Sequence, residues 1–256
     1  MTRALIGHTG FVGSNLARQY AFDAGFNSTN FRDLAGQRFD EVVCAGVSAI
    51  KWLANKEPAS DRARIRELEE VLDTVTARSF VLISTIDVYP RTTGVDESFD
   101  CHSLPNHSYG SHRLAFEEFC TGHFPECLVV RLPGLFGPGL KKNVIYDLLH
   151  DNCLEMINDA SSFQYYPLVR LWTDIERARA AGLRLINLFT EPVATSDIIA
   201  RHFVGKKVGS KAGPEAHYDL HTCHARHWGK TGPYVYSRSE VMDELAAFVA
   251  APEAAP

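Results

Sequence analysis

The stretch Leu5-Ile6-Gly7-His8-Thr9-Gly10-Phe11-Val12-Gly13-Ser14-Asn15 decides how the rest of the chain is read. Ahead of it, Ala4-Leu5-Ile6 is an apolar run with the length of a buried strand. Behind it, from Val12 to Phe22, apolar residues recur at helical spacing. The three glycines therefore fall on a strand-to-helix turn. At such a turn Gly7 supplies the tight bend, Gly10 lets a pyrophosphate approach the backbone, and Gly13 lets the helix lie close on the strand. The first helical turn, opening with Phe11 and Val12, would face that anion with free N–H groups and the positive end of its dipole. The spacing is G-x-x-G-x-x-G rather than G-x-G-x-x-G. Glycine turns without a ligand are the competing reading of the stretch taken alone.

Size and composition set the limits. With 256 residues, 45% of them hydrophobic, the chain can bury one large α/β domain, or that domain with a small appendage. A net charge of -5 argues against a general nucleic-acid binder, which needs a basic face. Cys44, Cys101, Cys120, Cys127, Cys153 and Cys223 are scattered with no C-x-x-C pair, the pattern of reduced thiols and a cytoplasmic setting. The first residues run directly into the glycine turn, so no leader is expected there. No apolar run has the length to span a bilayer, and no membrane partner is expected.

Further along, Gly25 marks a break, and Phe26 to Asn30 reads as a short strand. Phe39 to Val47 reads as a second strand ending in the small residues Ala45 and Gly46, as strands do where backbone approaches a ligand. Only about thirty residues separate Gly13 from Ala45, room for one helix, one short strand and one further helical turn. A strand-helix unit is therefore expected to be missing or vestigial. The acidic residue that holds the adenosine ribose of NAD, about twenty positions after the glycines, would fall near Asn27-Ser28-Thr29-Asn30. Without a carboxylate there NADP is permitted, slightly ahead of NAD, and Arg32 is a candidate for its phosphate; an ordinary polar turn explains the stretch equally well. Asp61 to Ala77 carries Ile65, Leu68, Leu72 and Val75 on one face, an amphipathic helix over the sheet. Phe80 to Ile83 reads as a buried strand delivering Ser84-Thr85-Ile86-Asp87-Val88-Tyr89 to its carboxyl end, where open α/β sheets bind ligands. A polar loop, 91–107, leads to Ser108-Tyr109-Gly110-Ser111-His112-Arg113, which opens a helix to about Thr121.

Gly7-x-x-Gly10-Phe11-x-Gly13, Cys44-Ala45-Gly46, Ser84-Thr85-x-x-Val88-Tyr89, Tyr109 with its helix, and Arg131-Leu132-Pro133-Gly134-Leu135-Phe136-Gly137-Pro138-Gly139 follow one another over roughly residues 3 to 145. In this order they resemble an extended short-chain dehydrogenase/reductase of the NAD-dependent epimerase/dehydratase type, whose members mostly act on nucleotide sugars. Beyond residue 150 the likeness fades. The resemblance implies an α/β fold, a Rossmann-like doubly wound parallel sheet with a shortened first half and a small C-terminal substrate lobe. The expected domains are 1–140 for the dinucleotide, 141–250 for a substrate lobe interleaved with the last strands, and 251–256 as a frayed tail.

By the same resemblance Tyr109 would exchange the proton of a sugar hydroxyl while hydride passes to or from a nicotinamide, with Thr85 bonded to the reacting oxygen. A free tyrosine has a pKa near 10, so action as a base at neutral pH needs a shift of roughly three units, about 4 kcal/mol. Family members place a lysine four residues on, one helical turn away, beside the cofactor; here that position is Arg113. Arginine keeps the charge and the donors for ribose hydroxyls but is longer, planar and unable to lose a proton. Asp87 stands where related dehydratases carry an acid, although Ile86 leaves their acid–base pair incomplete, and a loop-capping carboxylate is its other reading. Pro133 and Leu135 would neighbour the nicotinamide, and Lys141 and Lys142 would stand at the pocket mouth, where a surface pair is the plainer account.

In the last hundred residues, Gln164-Tyr165-Tyr166 and Trp172 read as core or as a stacking platform. Val144 to Leu149, Thr195 to Phe203 and Ser239 to Val249 read as helices, and Leu183 to Leu188 as a strand. His217, His221, Cys223, His224 and His227 invite a zinc reading. Gly213-Pro214 and Gly229 leave little length for a helix there, no finger spacing is met, and a polar loop without metal is expected. The leading reading is an NAD(P)-dependent oxidoreductase or epimerase acting on a hydroxyl or ketone of a sugar, with a homodimer through helices near 61–77 and 109–121 implied by analogy. The rival is a non-catalytic NAD(P)-binding sensor or subunit, kept open by Arg113.

Overall fold

The computed structural model describes residues 2–251; the tail expected to fray lies, from 252 on, outside the described residues. The chain divides into two compact units, each assembled from separate stretches. The first takes Met1–Pro90, Phe99–Leu132 and Arg170–Asn187, the second Arg91–Ser98, Pro133–Val169 and Leu188–Pro256.

The first unit is built on a six-stranded sheet whose neighbours are all parallel. Its strands are β1 (Arg3–Ile6), β2 (Ala24–Phe26), β3 (Arg38–Cys44), β4 (Thr76–Thr85), β5 (Cys127–Leu132) and a last strand, Leu185–Asn187. The order is β2-β1-β3-β4-β5 and then Leu185–Asn187. From β1 the chain goes outward to β2 and returns to β3 on the other side of β1. The strand order therefore reverses between β1 and β3, the place where such sheets bind ligands beyond their carboxyl ends. Only the three-residue β2 lies outside β1, followed by a single 3-10 turn, Phe31–Leu34. That is the abbreviated first half expected from the short spacing.

Helices α1 (Phe11–Gln19), α2 (Lys51–Lys56), α3 (Pro58–Leu72) and α4 (Ser108–His123), with Leu171–Ala180, complete this unit. All six residues of β5 are buried, as in a parallel sheet covered on both faces. One core cluster joins Val42, Cys44, Phe80, Leu82 and Val129 of the sheet to Ile65, Leu68 and Leu72 of α3, Phe116 and Cys120 of α4, and Phe124 just beyond it. The rings of Phe80 and Phe124 stack at 4.0 Å. Trp172 stacks on Tyr20 at 4.3 Å and so serves packing.

Two boundaries depart from the sequence reading. The helix expected to reach Ala77 stops at Leu72, because Thr76 to Ser79 already pair with β3, from Arg38 opposite Thr76 to Glu41 opposite Ser79. The second strand ends at Phe26 rather than beginning there. The Asn27 Oδ1 accepts the Thr29 N–H at 2.8 Å and its hydroxyl at 2.7 Å, and this local turn closes the strand.

In the second unit Gly134–Phe136 pairs in parallel with Tyr165–Pro167, so part of the expected loop 131–139 is strand. Ser162–Phe163 pairs antiparallel with Val193–Ala194. Helices form at Val144–His150, Thr195–His202 and Arg238–Ala250, each close to its expected span. Tyr165 and Tyr166 are buried. Gln164 donates to the carbonyls of Thr190 and Leu220 at 2.6 and 2.7 Å and accepts the Leu220 N–H at 2.9 Å, binding three segments of this unit. Cys44, Cys101, Cys120 and Cys127 are buried free thiols, and Cys153 and Cys223 exposed ones. Among the described residues no helix is long and apolar enough to cross a membrane.

Candidate active site

The glycine turn is fixed by how closely backbone meets backbone. Gly7 has φ +84°, and a Cβ there would stand 2.4 Å from the Ala45 carbonyl oxygen. A Cβ on Gly13 would stand 2.1 Å from the Gly7 carbonyl oxygen, and one on Gly46 2.7 Å from Ile6. β1, β3 and α1 thus converge at Gly7, Ala45-Gly46 and Gly13, and only glycine fits at those contacts. Gly10 differs: a Cβ there would meet only the Gly7 oxygen, at 3.2 Å. Gly10 is the N-cap of α1, with no side-chain cap and no acid in the first turn. The N–H groups of Phe11, Val12 and Gly13 precede the first intrahelical bond, Ser14 to Gly10 at 2.8 Å. An uncapped helix start behind an open glycine suits a diphosphate.

At the end of β2 the Asn27 side chain is committed to its own turn and comes within 3.5 Å of His8. Ser28 is exposed. Arg32 pairs with Glu67 of α3 at 2.5 Å on the surface.

On the other side of the switch point, the carboxyl end of β4 presents Ser84 and Thr85. The Thr85 hydroxyl accepts the Asp87 N–H at 3.2 Å, capping a 3-10 turn, Ile86–Val88. The start of α4 is pressed onto this turn. Asn106 donates to the Asp87 carbonyl at 2.9 Å, and a Cβ on Gly110 would lie 2.1 Å from that oxygen. His107 caps α4, its Nδ1 accepting the Gly110 N–H at 3.0 Å, while Asn55 of α2 accepts the Tyr109 N–H at 2.9 Å. The result sets Tyr109 in the first turn of α4, against the turn that Thr85 caps. Tyr109 is 6% exposed. Burial pushes its phenol above the ordinary tyrosine value, Arg113 opposes that, and Asp87 and Asp61 push the same way as burial.

Arg113 lies with its guanidinium 3.9 Å from the centre of the Tyr109 ring. Its two terminal nitrogens donate to Asp61 of α3 at 2.5 and 2.8 Å, and one of them also to the Ser48 carbonyl at 2.6 Å. His112 adds a contact to Asp61 at 2.7 Å. Burial would raise the Asp61 carboxyl, but the bonds from Arg113 and His112 outweigh it and hold it below the usual range. Arg113 therefore joins α3, α4 and the loop after β3, and its Nε is a buried donor without a protein partner.

Sequence reasoning did not find Lys51. Its ammonium lies 2.6 Å from Asp87, whose carboxylate is also 3.9 Å from the His107 Nε2. The two partners are far apart in sequence, and Lys51 sits in a stretch without a motif. Beneath this edge runs a buried network: Ser84 donates to Glu117 at 2.5 Å, Arg131 to Glu117 at 2.6 Å and to the Tyr89 hydroxyl at 2.7 Å, and Asn187 to that hydroxyl at 2.8 Å. Burial works against the Arg131 charge, but Glu117 more than offsets it and holds the proton firmly.

Gly7, Gly10, Phe11, Val12, Gly13, Asn27, Ser28, Ala45, Gly46, Thr85, Asp87, Tyr109 and Arg113 all belong to the first unit; Pro133, Leu135, Lys141 and Lys142 belong to the second. There Leu135 pairs opposite Tyr166. Asn143, next to the lysines, caps Val144–His150 by accepting the Tyr146 N–H at 3.1 Å. The histidine-rich segment is a loop ending in a 3-10 turn, Ala225–Trp228. Glu97 holds it, accepting the Thr222 hydroxyl at 2.6 Å and the Cys223 N–H at 2.9 Å.

No family model matches the sequence, and no curated protein matches it either. Solved structures do match in three dimensions. UDP-glucuronic acid 4-epimerase from Bacillus cereus in complex with NAD has a TM-score of 0.68 and 18% identity, over 97% of this chain and 96% of that one. The fold is shared with solved nucleotide-sugar epimerases. RMD from Pseudomonas aeruginosa, complexed with NADPH, has a TM-score of 0.73 and 17% identity, over 97% of this chain and 98% of that one. The dTDP-4-dehydrorhamnose reductase from Yersinia enterocolitica has a TM-score of 0.69 and 13% identity, over 97% and 99%. At these identities the likeness is one of architecture along nearly the whole chain.

Proposed function

We infer that the protein is an NAD(P)-dependent oxidoreductase or epimerase acting on a hydroxyl or ketone of a sugar, in nucleotide-linked form. The observation that carries this reading is the placement of a buried Tyr109 in the α4 turn that packs on the Thr85-capped end of β4, on the same sheet whose β1–α1 turn offers an uncapped, glycine-lined helix start. The matched structures support it, since two of them were solved with NADPH and NAD and two are named for UDP- and dTDP-sugars. Gly10, Phe11, Val12 and Gly13 would hold the diphosphate, Ala45 and Gly46 would flank it, and the ring would reach toward Thr85 and Tyr109. When bound, the nicotinamide would supply or take up the hydride. Thr85 would orient the reacting oxygen, and Tyr109 would take its proton or return it. Asn27 and Ser28 carry no carboxylate to repel a 2′-phosphate, which favours NADP over NAD. Pro133 and Leu135 remain candidates for the nicotinamide side, Asp87 for proton handling, and α3 and α4 for a dimer face.

Fluorescence titration with NADH and NADPH, then turnover with UDP- and dTDP-sugars, tests the reading. Tyr109→Phe should leave nucleotide binding intact and lower turnover by roughly 10²–10⁴-fold, the range for loss of a general acid–base. Unchanged turnover would remove Tyr109 from its role. The engagement of Arg113 by Asp61 favours one second reading, a nucleotide-binding sensor; binding without turnover in the native protein would establish it.

A further inference from the structure

Arg113 stands where the proposed chemistry calls for a positive charge beside Tyr109, and its guanidinium is also held by other groups of the protein. Asp61 meets both terminal nitrogens, and the Ser48 carbonyl takes one of them again. Asp61 offsets part of the Arg113 charge, and His112 is drawn to the same carboxylate. Asp87 lies on the turn that α4 packs against, its carboxylate 3.9 Å from the His107 Nε2 and the His107 ring centre 6.3 Å from that of Tyr109, and its negative charge opposes a phenolate. The charged and titratable groups around Tyr109 are then Lys51 from α2, Asp61 from α3, Asp87 from the 86–88 turn, and His107, His112 and Arg113 from the α4 segment; β4 contributes the neutral Thr85. His107 is committed as the α4 cap through Nδ1, a role only the neutral ring performs. Lys51 is the cation among them that meets Asp87, at 2.6 Å.

We propose that Lys51 is a positioning residue of the Tyr109 site: by pairing with Asp87 it offsets the negative charge that Asp87 sets beside the phenol. It acts through Asp87 rather than by touching substrate. Lys51 is the first residue of α2, and α2 also anchors Tyr109 through the Asn55 side chain. Lys51 is 40% exposed and Asp87 18%, so the pair sits at the border of solvent, where one partner can be changed without leaving a fully buried charge. This inference rests on Tyr109 being the acid–base group.

The test reads the phenol directly. The full-length protein is labelled with [13Cζ]tyrosine, the Tyr109 signal is assigned with Tyr109→Phe, and its ionisation is followed by NMR without nucleotide. Lys51→Met should raise the pH at which Tyr109 ionises, Asp87→Asn should lower it, and the double variant should return close to the native value. The single variants should differ by about one unit, as expected for gain or loss of a nearby charge. A Lys51→Met signal still neutral at the end of the titration, with Asp87→Asn ionised within it, is the same result. Lys51→Arg should behave as the native protein. A purely structural role for Lys51 would not give opposite shifts that cancel. If Tyr109 ionises at one pH in all the variants, the proposal is overturned. NADH and NADPH titrations separate the two claims: a native protein that binds neither ends the functional reading, whereas unaltered binding with no charge-dependent ordering ends this inference alone.

Discussion

Arg113 shows how one residue can answer two demands. It preserves a cation at the position after Tyr109 where the resemblance calls for lysine, and it fastens three elements through Asp61 and Ser48. Asp61→Ala should therefore cost about 3 kcal/mol of stability, since it leaves a nearly buried guanidinium without its carboxylate; urea denaturation measures it. Because the Asp61 carboxyl is held below its ordinary value, its contribution is in full force above about pH 4 and disappears as pH falls through the depressed value. The native protein should thus lose stability to acid in that range more steeply than Asp61→Asn does. The glycines make a second residue-level test. Gly13→Ala would place a Cβ 2.1 Å from the Gly7 oxygen and should prevent stable folding, whereas Gly10→Ala meets only one contact, at 3.2 Å. Gly10→Ala should fold and weaken NADH binding, read by thermal unfolding and fluorescence titration. The glycine turn was legible in sequence because its demands are local, a bend and two close approaches within seven residues. Asp61 and Lys51 were not, because each is defined by a partner dozens of residues away.

At the scale of elements, the way α4 begins matters most, since its first turn carries Tyr109. Its cap is a histidine, and the bond from the Gly110 N–H to the His107 Nδ1 requires a lone pair on that nitrogen. Burial and then Lys51 hold the His107 pKa below the ordinary histidine value, with Asp87 acting in the other direction. The sign is clear: a histidine kept neutral by folding stabilises the fold above its unfolded pKa, near 6.5, and the stabilisation is lost as pH falls through the lower folded value. About 1 kcal/mol, the size of an N-cap, should vanish across that interval. His107→Asn should keep a cap and flatten this part of the pH–stability profile, which chemical denaturation at several pH values would show. Helix spans such as Ser108–His123 and Arg238–Ala250 were readable from periodicity and capping residues. The first half of β4 was not. Thr76, Ala77, Arg78 and Ser79 alternate between exposed and buried, a strand's period, but the inward residues are small or polar and carry no hydrophobic signal.

Over the whole molecule, the chain returns to the first unit after leaving it. A boundary near residue 140, natural from the sequence, omits Arg170–Asn187, which the first unit includes. That segment supplies the edge strand beside β5 and a helix whose Leu171 and Ile175 are fully buried, as is Ile186 of the strand. It also supplies Asn187, which donates to the Tyr89 hydroxyl and so completes the buried chain from Ser84 through Glu117 and Arg131. Three such apolar side chains represent on the order of 6 kcal/mol of burial, comparable to the whole stability of an ordinary domain. A fragment of residues 1–140 should therefore lack a cooperative thermal transition and fail to bind NADH, although it contains Gly7, Gly10, Gly13 and both Thr85 and Tyr109. Adding residues 170–187 as a separate peptide should restore part of the transition if that segment acts through these contacts. A fragment that melts cooperatively and binds nucleotide alone would mean that the late strand only decorates the sheet, and that the nucleotide site depends on nothing beyond the first five strands and their helices.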